Sequence, residues 1–271
     1  MKIFKPSYPR LGLAAFVLAA LLIVQSYHAR LNLTRPAIAS GWALAAVIVF
    51  LSLFNVRKKF PMLPLGKAET WLKLHVVGGA LALPFFWIHT GTLWPQGYYE
   101  QILALLFYLL TASGIAGFIL QKIYPGHLTQ TEVEIIYERI PSEIFEIRAR
   151  AEALILECTQ KTGVDTLAQF YLETLNPFFR KPLFFASHAV GRQKAAHWLR
   201  HQFGTVKRYL NEAESSYLAK LEALAEMKNK IDIHYALQTV MKGWLLIHVP
   251  LTAVLLVFVL WHILLVHAYA L

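Results

Sequence analysis

Five apolar runs constrain this chain more than any other feature. They cover residues 11–28, 38–56, 71–91, 101–121 and 243–269. A bilayer's hydrocarbon core is about 30 Å thick, and a helix needs about 20 residues to cross it. No water in that layer can satisfy backbone N–H and C=O groups, so a spanning segment is a helix or part of a closed barrel. Runs of this length read as helices, and the sequence carries no strand signal. The chain is expected to be all-α and polytopic, with five transmembrane helices. Charged residues make up only 15% of the 271, against about 25% in soluble domains.

The first run resembles a signal peptide, with Lys2, Lys5 and Arg10 ahead of it. The residues before Arg30, Ser26-Tyr27-His28-Ala29, make a poor small-x-small cleavage site. An uncleaved first span is therefore expected. Loop charge then sets orientation. The second loop carries Arg57, Lys58, Lys59 and Lys67, with Lys73 at the start of the third run, while loop 92–100 has no Lys or Arg. Segment 122–242 carries sixteen, and Arg30 and Arg35 dissent mildly. The N-terminus and residues 121–242 are expected inside, in the cytoplasm, and the C-terminus outside, in the periplasm. The third and fifth runs then cross in the same direction.

Those two runs each hold two histidines fourteen residues apart: His75 and His89, then His248 and His262. Fourteen residues leave about 40° of rotation and about 21 Å of rise, so each pair lies on one helix face at two depths. Ionisable residues inside a membrane are costly and mark function. Parallel helices bring His75 opposite His248 near the inner surface and His89 opposite His262 near the outer one. Imidazole is a good iron ligand. The pattern leads us to expect two b-type haems, the inner held by His75/His248 and the outer by His89/His262. Two axial imidazoles leave no open position on the iron, so electron transfer is the expected role.

Gly78 and Gly79 follow His75 by one turn, where a larger side chain would obstruct a porphyrin; close helix packing is the other reading. Ala82 lies midway on the same face, and Phe85 and Phe86 precede His89 by a turn. The stretch Ser113-Gly114-Ile115-Ala116-Gly117 suits a helix crossing or a haem edge. Pro84 and Pro250 are expected to kink their helices. Lys73, Lys242 and Arg57-Lys58-Lys59 are the inner cations that propionates would need, with Arg30 and Arg35 outside. His28 and His267 read as hydrated interfacial residues.

The organisation is 1–120, four spans; 121–242, a helical cytoplasmic insertion; and 243–271, the fifth span, which completes a four-helix di-haem core. The insertion holds sixteen basic and fourteen acidic residues. Thr129–Glu132 fits a capping box, and Ser142 a cap beside Pro141. Helices are expected over 143–161, ending at Gly163, then over 164–175 and stopped by Asn176-Pro177, then over 189–203. An apolar stripe through Leu210, Tyr217, Leu218, Leu221, Leu224 and Met227 runs without Pro or Gly toward the fifth span. Phe178, Phe179, Phe184 and Phe185 suggest an anchoring turn, in the core or at the membrane surface.

Other chemistries find little support. The net charge of +10 lies in membrane-flanking loops, so nucleic acid is not an expected partner. Cys158, a single cysteine, cannot build an iron–sulfur cluster or a disulfide within the chain. His197 and His201 sit at i,i+4 but lack the Glu of a zinc-protease motif. His127, His188 and His234 carry no pattern.

The four histidines, with their spacing and span order, resemble cytochrome b of quinol-oxidising complexes and the ferric reductase and NADPH oxidase group. Those families imply a four-helix core with two bis-histidine haems. The Pro-Glu-Trp-Tyr motif of quinol oxidation is absent, the second run offers only Gly41, and no flavin or NADPH domain follows the fifth. The final stretch, KGWLLIHVPLTAVLLVFVLWHILLVHAYAL, also looks like bacterial cytochrome b-type proteins. The expected function is transmembrane electron transfer in a bacterial inner membrane, by a subunit of a respiratory oxidoreductase complex. A quinone, a periplasmic cytochrome, an iron–sulfur protein or a cytoplasmic partner docked on residues 121–242 would be donor or acceptor, and a quinone ligand stays open. The alternatives are a transporter or scaffold whose histidines form a proton or metal-ion path, and a ferric or quinone reductase in its own right.

Overall fold

The computed structural model describes residues 36–59 and 67–269. The expected first span, with His28, Arg30 and Arg35, lies outside them, as do the side chains of Arg57, Lys58 and Lys59. Among the described residues the chain is all-helical with no strand. Helix α1 covers Pro36–Lys59, α2 Ala68–Thr90 and α3 Tyr98–Thr129. After a 3₁₀ turn come α4 (Ile140–Thr162), α5 (Thr166–Phe170), α6 (Asn176–Arg180), α7 (Phe185–Ala189), α8 (Lys194–Val206) and α9 (Glu212–Tyr269). Four of these, α1, α2, α3 and α9, are long and apolar enough to cross a membrane.

The described residues fall into two compact units. One joins those up to Leu120 with those from Trp244, and the other is Gln121–Gly243. α3 and α9 contribute to both.

The first unit is built on α1, α2 and the apolar parts of α3 and α9. Its core gathers Leu44, Ile48, Ala82, Phe85, Phe86, Ala104, Phe107 and Leu255. Phe86 stacks on Phe107 with centroids 4.5 Å apart. Large apolar residues elsewhere face outward: Ile102, Leu105, Leu109, Ile115 and Ile119 on α3, and Leu246, Val257, Leu260 and Leu264 on α9. An apolar exterior around a packed core is the pattern of a helix bundle with lipid as its solvent. Pro84 and Pro250 lie inside α2 and α9, and both helices continue through them.

The second unit has its own core. Phe178, Phe179, Leu175 and Leu221 are fully buried with Ile147, Cys158, Tyr171 and Ile231. The phenylalanine cluster is therefore a core anchor. Burial pushes the Cys158 thiol up, as expected for a packed, inert cysteine.

Four local expectations are corrected. Thr129 does not open a helix: it is the last residue of α3, and its hydroxyl donates back to the carbonyls of Pro125 and Gly126. Ser142 likewise donates back to Arg139 O at 2.7 Å and caps nothing. Pro141, in the first turn, supplies the start of α4 instead. Asn176-Pro177 does not stop the chain's helical course. A π turn over Tyr171–Leu175 precedes it, with Asn176 N–H bonded to Tyr171 O, and that wider turn accommodates a proline that would clash with a regular one. The helix expected over 189–203 is α8, and it starts only at Lys194 because Gly191, at φ 71°, breaks the chain after α7. At the other end of α4 the reading holds: Gly163, at φ 69°, caps it with its N–H on Thr159 O.

Candidate functional site

The two pairs of histidines in the apolar helices meet in the first unit. His75 on α2 and His248 on α9 have ring centres 6.3 Å apart, with planes at 67°. His89 and His262 have centres 6.2 Å apart, with planes at 87°. The earlier histidine of α2 meets the earlier histidine of α9, and the later meets the later. The two helices therefore run in the same direction, in register across fourteen residues, about 21 Å of helix.

α1 lies against α2 and receives its ring protons. His75 Nδ1 is 3.1 Å from Leu51 O, and His89 Nδ1 is 3.0 Å from Ala37 O. A carbonyl oxygen only accepts, so each Nδ1 carries the proton and each Nε2 keeps the lone pair that a metal would use. The glycines fix how close the helices come. A Cβ on Gly41 would sit 2.8 Å from His89 Cε1, and one on Gly78 would sit 2.9 Å from Leu51 Cδ2. Gly78 thus serves helix packing. Gly79 is different, because a Cβ there would meet nothing within 4 Å, leaving open space one turn beyond His75.

α3 lies against the α9 histidines. Ser113 Oγ shares a hydrogen bond with His248 Nδ1 at 3.2 Å, and Ser113 O accepts from Trp244 Nε1 at 2.8 Å. The Trp244 ring packs on His248 with centroids 5.2 Å apart. A Cβ on Gly117 would overlap the Trp244 indole, so this glycine serves a helix crossing. At the other end Tyr99 stacks on His262, with centroids 6.0 Å apart and planes at 17°. Its hydroxyl donates to Phe258 O at 2.6 Å. Ser113 was legible only as the start of a helix-crossing or haem-edge stretch, and Tyr99 and the carbonyls of Ala37 and Leu51 were not identified from sequence. Their spacing, 37 to 51 and 99 to 113, repeats the fourteen residues of the histidines, but it stands out only once the register is known.

A cavity of about 370 Å³ opens against the His89/His262 pair, within the range of small-molecule sites. His89, His262, Gly41 and Phe86 line it, with Glu100 and His267 also on its wall. Trp42 meets the His267 ring edge-on at 5.8 Å.

Each site brings two imidazoles, and their spacing can be tested against the expected group. An iron bonded at about 2 Å to one nitrogen of each ring, with each nitrogen about 1.2 Å from its ring centre, holds the two centres about 6.4 Å apart. The observed 6.3 and 6.2 Å fit. A tetrahedral zinc needs four ligands, whereas a haem brings four pyrrole nitrogens and asks only for the axial pair. Among the described residues no group of three or more His, Cys, Asp or Glu side chains gathers as a metal site.

The remaining candidates lie elsewhere. Lys73 pairs with Glu69 at 2.6 Å. Lys242 pairs with Glu138 at 2.6 Å and lies over the Tyr137 ring. His197 Nδ1 accepts from Arg200 at 3.0 Å. His234 bonds Thr131 Oγ1 at 2.8 Å, within the second unit. That unit also buries a charged pair: Lys228 Nζ is 2.6 Å from Asp232 Oδ2, with both side chains fully buried.

No protein-family model matches the chain, and no curated protein or solved structure is similar to it.

Proposed function

We propose that this chain is a di-haem b-type cytochrome subunit that carries electrons across a bacterial inner membrane. The observation that carries the reading is the pair of ring-centre distances, 6.3 and 6.2 Å, repeated in register along two parallel apolar helices. His75 and His248 would hold one haem, and His89 and His262 the other. A bound haem supplies one-electron redox chemistry. The chain's own part is to hold the imidazoles in the Nδ1–H tautomer and to exclude water behind Phe85, Phe86 and Phe107.

Loop charge supports an orientation with residues 121–242 in the cytoplasm and the C-terminus in the periplasm. A fifth span over 11–28 completes this topology. In this reading residues 121–242 are a helical cytoplasmic insertion. The partners this predicts are a quinone pool or a cytoplasmic protein on that side and a periplasmic redox protein on the other.

Ligand deletion tests the reading. Purified protein should show b-type bands in a reduced-minus-oxidised spectrum and two haems by pyridine extraction. His75→Ala and His248→Ala should each lose the same haem, and His89→Ala and His262→Ala the other. Protein without haem, or His75→Ala and His248→Ala losing different haems, overturns it. Glu100 on the wall of the outer cavity favours a second reading, a proton or metal-ion path. Haem-free protein that transports across vesicles, and stops doing so as Glu100→Gln, would establish that path instead.

A further inference from the structure

The histidines of α2 and of α9 are held in different ways. Those of α2 give their protons to main-chain carbonyls of α1, which no side-chain substitution removes. Those of α9 depend on side chains of α3, and the two ends use different chemistry. His248 shares a hydrogen bond with the Ser113 hydroxyl. Among the described residues no hydrogen bond is made to His262, which instead lies near-parallel to the Tyr99 ring, with centroids 6.0 Å apart. That ring is itself fixed, since its hydroxyl donates to Phe258 O and its face also stacks on Phe258 at 6.0 Å. Phe258 lies one turn before His262, so Tyr99 braces both the ligand and the backbone that carries it.

We infer that Ser113 and Tyr99 are positioning residues that set the imidazole planes of His248 and His262, so that α3 orients one ring of each pair without supplying a ligand. This rests on the reading of the pairs as haem ligands. It explains why the planes cross at different angles, 67° in one pair and 87° in the other. A hydrogen bond to Nδ1 fixes a point on the ring and leaves rotation about that contact, whereas a rigid ring packed near-parallel alongside the imidazole restricts its plane. It also gives His248 a partner able to accept its proton, which would strengthen its donation to a metal, whereas His262 has no such partner among the described residues.

The experiment uses the full-length haem-loaded protein and its low-spin ferric electron paramagnetic resonance. The largest g value of a bis-imidazole haem rises as the two ring planes approach perpendicular. Wild type should give two signals, the one lost in His262→Ala at the higher g. Tyr99→Leu should shift or abolish that outer signal alone, and Tyr99→Phe, which keeps the stack, should leave it in place. Ser113→Ala should shift the inner signal alone, and Ser113→Thr should restore it. The signal of the other haem is the internal measure of folding in every variant. Equal change in both signals, or no change in either with both haems retained, overturns the inference. Wild-type protein without haem overturns the underlying reading instead, and the two failures are thus distinct.

Discussion

Lys228→Met should destabilise the Gln121–Gly243 unit above pH 6 and not below it. In the wild type the Lys228 ammonium donates to Asp232 Oδ2 at 2.6 Å and to Lys181 O at 3.0 Å, and lies 4.4 Å from the centre of the Phe178 ring. Neither side chain of the pair reaches solvent. Burial pushes the Asp232 carboxyl up to about 6, and the Lys228 charge opposes that rise. With methionine at 228 the carboxylate loses that charge, so its folded-state value rises further and it takes up a proton. A group raised in the folded state contributes stability that is complete below its unfolded value and is lost as pH rises through the folded one. Wild type stops losing stability near pH 6, whereas the variant continues. The variant falls behind by on the order of 1 kcal/mol for each pH unit above 6, until its own carboxyl ionises. The ceiling is the roughly 3–5 kcal/mol typical of a broken buried pair. Below pH 6 the wild type holds a lysine beside a neutral carboxyl, and methionine there is neutral or stabilising. The assay is a urea titration of the full-length protein in detergent, read by protease resistance of the unit. The double variant Lys228→Met/Asp232→Leu should recover most of the loss. A penalty equal at pH 5 and pH 8 would refute the reasoning.

Two further outcomes follow from side chains with few options. His188 is buried, and desolvation, with the Lys228 charge behind it, holds its imidazole down to about 4. Its stability contribution is present above pH 6.5 and lost as pH falls to about 4, on the order of 3 kcal/mol; His188→Leu should flatten that stretch of the unit's acid unfolding curve. Gly41→Ala places a Cβ 2.8 Å from His89 Cε1, so it should shift or remove the spectrum of the haem lost in His262→Ala and spare the other.

The histidine pairs were legible in the sequence because their chemistry is rare in an apolar run and their spacing is geometric. Ala37 and Leu51 were not, since they act through carbonyls that every residue possesses. Tyr99 and Ser113 are ordinary residues at a span's edge and middle, and only the finished register shows what they face. The buried pair was hidden differently. Lys228 and Asp232 are charged, so they read as a solvated face. Yet Leu221, Ala225, Lys228, Asp232 and Ala236 continue one buried stripe of α9, so period pointed inward where residue type pointed out. The Thr129–Glu132 motif failed for the opposite reason. It matched a cap in type, but α3 runs through Gly126 and Pro125 and ends there.

The register itself is the strongest structural regularity in the membrane unit. Moving fourteen residues forward on α1, from Ala37 to Leu51, moves the contact fourteen back on α2, from His89 to His75. Moving from Tyr99 to Ser113 on α3 moves it from His262 back to His248 on α9. Each pair is therefore antiparallel without a one-residue slip over about 21 Å. Fourteen is two heptads, the repeat at which helices stay in contact by wrapping gently in the left-handed sense. A one-residue insertion in α3 between Tyr99 and Ser113 would turn the helix by about 100° and carry one of them off its histidine. The same insertion in the surface loop between α2 and α3 would leave both in place. The spacing is thus a constraint on all four helices, although only two of them carry the paired histidines.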